Sequence, residues 1–261
     1  MGDRQNQNQR AGAMDLAKVV FFGRTGEEAL QFFDLEWEAL KGRRLLDCPG
    51  GPGAFTALAR RHGVEVIAVD PLYGLPPEEL ERQALADIGL HNERASGADH
   101  LRPDFDLDLY HRGKRGALAS FLSDRRAHPE SYLAASLPEL PFSDGSFDLV
   151  LSAHLLFGYS PLQDGGLYAN SPFDLAWHRR ALAELRRVSR GEVRLYPVHT
   201  VSRPARLHPY VEALLAELPA PWSGRLFHPS YDQGFEGETP GLLLRRPGST
   251  AHGVSAEGAR P

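Results

Sequence analysis

The chain has a single cysteine, Cys48, so no disulfide can form within its 261 residues. Lysine is almost as scarce. Lys18, Lys41 and Lys114 are the only lysines among 29 basic residues, and this arginine bias reads as composition rather than function. Positive charge is not in excess either. The net charge of −5 gives no global field to attract a phosphate backbone, and the arginine pairs at 179–180 and 186–187 stand without interleaved aromatics, as on a solvated helix face. A nucleic-acid partner is therefore not expected. No apolar run approaches the ~20 residues that span a bilayer, and no signal-peptide pattern stands at the start. The expectation is a cytoplasmic protein with no membrane partner. The eleven histidines show no metal-ligand spacing with cysteine or carboxylate, and no serine sits in a G-x-S-x-G elbow. No metal and no serine-hydrolase chemistry is expected.

What is present is concentrated between Arg43 and Pro71, RRLLDCPGGPGAFTALARRHGVEVIAVDP. Leu45 and Leu46 read as the buried end of a strand, with Asp47 at its tip. A glycine turn follows through Gly50, Gly51 and Gly53. A helix is predicted over about 54–62, and 64–69 is a second apolar strand ending at Asp70. Asp70 follows the glycines by about 20 residues, the spacing at which a carboxylate reaches ribose hydroxyls. Glycines allow a ligand close to the backbone, and a helix start offers unpaired N–H donors. A dinucleotide fold would want G-x-G-x-x-G. Here the better match is D-x-x-x-G-x-G, with Gly51 and Gly53 as its glycines and an acid before the turn.

That pattern resembles the first motif of class I S-adenosylmethionine (SAM) methyltransferases. An acid beside the loop suits the ammonium group of SAM, which has no pyrophosphate to cradle. Pro49 replaces the earliest glycine of the motif. The segment 137–157, LPELPFSDGSFDLVLSAHLLF, resembles the third and fourth motifs, and 183–198 resembles the helix–turn–strand after them. The resemblance covers roughly residues 22–246. It is closest to a bacterial branch carrying F-G-R-T near the start and L-D-C-P at the glycine turn. It implies that Asp47, Gly51 and Gly53 line the methionine portion of SAM, that Asp70 takes the ribose hydroxyls, and that Ser136 and Leu137 flank the adenine. Pro49, Pro71, Ser152 and Arg24 complete the expected cofactor set. Arg24 is expected to pair with the SAM carboxylate or with an acidic acceptor. Serine stands at 136 where the family often has an acid, a weaker acceptor for the adenine amino group.

The expected fold is a Rossmann-like three-layer α/β sandwich, with a mostly parallel seven-stranded sheet and an antiparallel terminal hairpin. Residues 1–13 read as a disordered tail, 14–246 as the SAM-dependent methyltransferase domain, and 247–261 as a flexible tail. Thr25 and Glu28 form a capping box for a helix over 26–33. Residues 74–131 form a long insertion, with helices predicted over about 77–90 and 116–126; it is either a substrate lid or a helical decoration. Strands are expected at 132–135, 147–152, 192–198, 225–228 and 241–245, and helices at 172–188 and 209–218. Asp144 suits a turn, and Asp148 suits structural pairing with nearby backbone.

His154, at the end of the fourth strand, and Tyr159 are the candidate catalytic residues, His154 as a general base or substrate contact. With Tyr168 they are expected to line an acceptor pocket under the loop 158–170. The expected activity is methyl transfer from SAM to a small-molecule acceptor. Two alternatives stay open: a SAM-binding domain that transfers nothing, and an NAD-dependent oxidoreductase on the same layout.

Overall fold

A computed structural model describes residues 18–96 and 101–248. The expected tail at 1–13 lies outside them, as does all but the start of the tail at 247–261. Seven strands form one sheet in the order β3-β2-β1-β4-β5-β7-β6. They are β1 (Arg44–Asp47), β2 (Glu65–Val69), β3 (Tyr132–Leu133), β4 (Leu149–Ala153), β5 (Glu192–Tyr196), β6 (Ser223–Phe227) and β7 (Gly241–Arg245). The first five are parallel to one another, in a register that sets Leu46 beside Ile67 and Val150. β7 runs antiparallel between β5 and β6. This is the mixed, mostly parallel sheet of the expected fold class.

The helices cover both faces because the strands are apolar on both sides. On one face α1 (Gly26–Phe33) and α3 (Phe55–Arg61) pack Phe32, Phe33, Phe55 and Ala59 against Leu45, Val66, Leu149 and Leu151. On the other, α6 (Leu175–Val188) and α7 (Tyr210–Ala216) pack Leu182, Leu185, Val211 and Leu214 against Leu46, Val150, Val193 and Leu242. A short α2 (Trp37–Leu40) leads into β1. The Thr25–Glu28 capping box opens α1 as expected: Glu28 N–H donates to Thr25 Oγ1 at 3.1 Å and Thr25 N–H to Glu28 Oε2 at 2.7 Å. Asp148 accepts from Arg44 N–H at 2.8 Å and pairs with Arg190 at 2.7 Å, the structural role expected of it.

Two long helices lie between β2 and β3: α4 (Pro77–Ser96) and α5 (Leu107–Ala127). Leu80, Ala84 and Ile88 of α4 meet Leu118 and Phe121 of α5 over Ala68, Tyr73 and Tyr132 at the sheet edge. Asp124 locks the end of α5, accepting from Tyr132 Oη at 2.7 Å and pairing with Arg60 of α3 at 3.2 Å. α5 starts nine residues before its expected position, at Leu107, where Asp106 Oδ1 caps the Leu109 N–H at 2.8 Å. The sequence pattern hid this start because the buried face of its first turns is polar, with Lys114 fully enclosed. No described helix is long and apolar enough to cross a membrane.

Candidate cofactor and acceptor site

β1 delivers Asp47 to the carboxyl edge of the sheet, and the turn after it is pinned from three sides. Cys48 N–H donates to Leu151 O of β4 at 2.9 Å, Gly50 N–H to Val69 O of β2 at 2.9 Å, and Tyr73 Oη–H to Gly51 O at 2.6 Å. Gly51 has φ +53°, which L side chains rarely adopt. A Cβ on Gly50 would come within 2.6 Å of Tyr73 Oη, so glycine is required there for close packing.

The segment before α1 crosses over this turn as a strap. Val20 N–H donates to Tyr159 Oη at 3.2 Å and Phe21 N–H to Asp87 Oδ2 of α4 at 2.8 Å. Arg24 O receives Ala54 N–H at 2.9 Å, the start of α3. A Cβ on Gly23 would sit 2.2 Å from Pro52 O, so the strap lies directly on the turn.

Under the strap is a cavity of about 320 Å³. Arg24, Asp47, Pro49, Gly51, Gly53, Asp70, Pro71, Ser136, Leu137, His154 and Tyr159 all line it. Eleven of the twelve residues singled out from sequence therefore meet in one place. Ser152 is the exception and is corrected here. β4 runs one residue further than expected, to Ala153, and side chains alternate along a strand. Ser152 shares the parity of Val150 and is buried toward the α6 face, so Ala153 and His154 reach the cavity instead. Tyr168 is also not in the wall; its ring packs on Phe173, which is.

The two carboxylates dominate the electrostatics. Burial pushes the Asp47 carboxyl up to about 7, with a further rise from the nearby Asp70. Burial raises Asp70 to about 6, moderated by N–H bonds from Leu72 and Gly51. The Leu72 bond is 2.9 Å long. No described cation lowers either group. A cavity with two buried acids and no resident counter-charge suits a cationic ligand.

The far side of the cavity has the opposite character. His154, at φ +60°, holds its N–H on Tyr196 O at 2.7 Å, and its buried Nε2 has no partner among the described residues. Burial, with Arg24 and Lys114 nearby, holds this imidazole well below the usual histidine range, so it is neutral. Burial raises the Tyr159 hydroxyl, whose oxygen accepts the Val20 N–H. Phe32, Phe33, Phe173 and Trp177 supply apolar wall. Trp177, Lys114, His91, Tyr110 and His199 were not legible as site residues: each lies on a helix or loop whose distance to the turn only the fold sets. The one available signal was a lone lysine inside an otherwise weak helical pattern.

No family model matches this chain. An uncharacterised protein of Methanocaldococcus jannaschii is 24% identical over 191 residues, 71% of this chain and 80% of its own. A protein of Mycobacterium sp. strain KMS, described as an uncharacterised methyltransferase, is 31% identical over 94 residues; the match spans 34% of this chain and about a third, 36%, of the relative. Among solved structures, magnesium protoporphyrin IX methyltransferase of Synechocystis aligns over 84% of this chain and 76% of its own, at 14% identity and a TM-score of 0.43. A SAM-dependent methyltransferase of Aquifex aeolicus aligns over 83% of this chain and 92% of its own, at 14% identity and a TM-score of 0.41.

Proposed function

We propose that this protein is a class I SAM-dependent methyltransferase acting on a small-molecule acceptor. One observation carries the reading: Asp47 and Asp70, buried without a described counter-cation, stand on either side of a glycine turn at the carboxyl edge of a parallel sheet. The residues fit SAM. Asp47 with the turn at Gly51 and Gly53 takes the ammonium end, Asp70 takes the ribose hydroxyls, Pro49 and Pro71 shape the walls, and Ser136 and Leu137 flank the adenine. A dinucleotide pyrophosphate at the same turn would face the Asp47 carboxylate at like charge, which disfavours the oxidoreductase alternative.

When bound, SAM supplies a methyl group on a sulfonium, and transfer forms the acceptor–carbon bond as the carbon–sulfur bond breaks, leaving the neutral thioether of S-adenosylhomocysteine (SAH). The chain's own part is to align the acceptor and exclude water. His154 Nε2, neutral and unpaired in the wall, is placed to accept a proton from an acceptor hydroxyl or amine. Tyr159 holds the strap closed through Val20.

Calorimetry with SAM, SAH and NAD tests the cofactor, and SAH release from a fractionated metabolite extract tests turnover. SAM and SAH are expected to bind and NAD not to. Binding of NAD in place of SAM overturns the reading. SAM binding without SAH release from any fraction favours the non-catalytic alternative.

A further inference from the structure

A second, smaller cavity of about 70 Å³ adjoins the first and shares Phe22, Arg24, His154 and Tyr159 with it. Its remaining wall comes from elements distant in sequence, among them His91 of α4, Tyr110 of α5, and His199 and Phe235 near the sheet edge.

Arg24 is 7% exposed, yet its Nε and Nη1 have no hydrogen-bond partner among the described residues. The guanidinium is clamped between rings, 5.0 Å from the Phe22 centroid and 4.9 Å from that of Tyr110. Lys114 is 1% exposed and stands against the same two rings, its unpartnered Nζ 3.4 Å from the Tyr110 centroid and 4.4 Å from that of Phe22. The described carboxylate acting on both is Glu28, whose oxygens are already engaged by Thr25 N–H at 2.7 Å and Tyr231 Oη at 2.9 Å. An enclosed guanidinium without an ion-pair partner is costly unless a ligand completes it, whereas burial, with Arg24 nearby, holds the Lys114 amine well below the usual lysine range. The other unpaired atoms have a different polarity. His199 Nδ1 faces Thr200 O at 2.9 Å and so carries the proton, leaving His199 Nε2 as an unpaired acceptor, and Gln233 Oε1 is a second.

We propose that this second cavity anchors the methyl acceptor, and that the acceptor is a small aromatic carboxylic acid carrying a hydroxyl or amine, its carboxylate received by Arg24. This rests on the methyltransferase reading and names the substrate class of that site. The planar guanidinium offers a carboxylate a two-pronged contact. Phe22, Phe105, Tyr110 and Phe235 give an apolar wall for a ring. The cavity is too small for the whole acceptor, so its proton-bearing end extends past His154 into the cofactor cavity.

The test titrates the full chain, saturated with SAH, with 4-hydroxybenzoate, with its neutral analogue 4-hydroxybenzamide and with inorganic phosphate. The benzoate is expected to bind roughly 10- to 150-fold more tightly than the benzamide, the range for one charge-assisted contact. Arg24→Gln should abolish that preference, with the loss of benzoate affinity exceeding any loss of SAH affinity. Arg24→Lys, which keeps the charge but loses the fork, should retain part of the preference and guards against a folding defect in the first variant. Equal binding of benzoate and benzamide, or no benzoate binding, overturns the proposal. So does an Arg24→Gln loss confined to SAH, which would assign the arginine to the cofactor carboxylate. Phosphate binding in preference to benzoate overturns the carboxylate assignment. Failure of the wild type to bind SAH is a separate result, against the methyltransferase reading itself.

Discussion

Asp70→Asn gives the sharpest test of the cofactor site, read together with pH. Asp70 is enclosed, and one of its oxygens already accepts the Leu72 N–H at 2.9 Å. Removing the charge leaves the shape but weakens the bond to ribose. Hydrogen bonds to charged groups contribute about 1.5–3 kcal/mol, so SAH affinity should fall roughly 10- to 150-fold. The wild type should also lose affinity as pH falls. Burial places the Asp70 carboxyl at about 6, against 3.8 for an ordinary aspartate. At pH 5 only about a tenth of it is ionised, so from pH 5 to pH 8 this group alone raises affinity about tenfold. Asp47, at about 7, steepens the same rise.

The stability of the ligand-free protein should run the other way. Because both folded values are raised, the folded state holds protons that the unfolded chain releases. The contribution of these groups is thus greatest below pH 4 and is lost as pH rises through about 6 and 7. SAH should oppose that loss, because its ammonium favours the ionised acids. Calorimetry from pH 5 to pH 8 and urea melts with and without SAH read both effects. A pH-independent SAH affinity, or an Asp70→Asn protein that binds as the wild type does, refutes the assignment.

Three further outcomes are expected. Gly23→Ala forces a Cβ to 2.2 Å from Pro52 O, so the strap must lift; SAH affinity should fall at least about tenfold, with a stability loss of about 1–3 kcal/mol by urea denaturation. His154→Gln keeps a polar side chain but removes the imidazole; once an acceptor is found, kcat should drop roughly 100-fold or more with SAM binding unchanged, and an unaltered kcat excludes the base role. Lys114→Met removes an enclosed, unpaired amine whose protonation burial and Arg24 disfavour, and should raise the unfolding free energy by about 1 kcal/mol; a lower melting temperature shows that its ring contacts outweigh its burial.

The unit from Arg43 to Pro71 was readable because everything in it is local. The alternation of apolar strand, glycine turn and helix, and the acids at both strand ends, are short-range patterns that burial of a parallel sheet imposes on the chain itself. The Thr25–Glu28 cap is local for the same reason, since both partners sit within one helical turn. Where the face of a single strand residue mattered, pattern failed: Ser152 shares the face of Val150 and points away from the cavity, while Ala153 and the expected His154 line it. The start of α5 was hidden because Lys114 is a buried polar group and Tyr110 is half-buried, opposite to the apolar periodicity that marks a helix.

Sequence alone thus determined the fold class and the acid–glycine–acid turn, because each depends on neighbours along the chain. The insertion of β7 between β5 and β6, and the gathering of His91, Lys114 and His199 around the expected Arg24 and His154, were decided only by tertiary structure. Those residues come from a strap, two edge helices and two loops. The free energy that holds unpaired charge there is supplied by the packing of the whole domain, which no local pattern records.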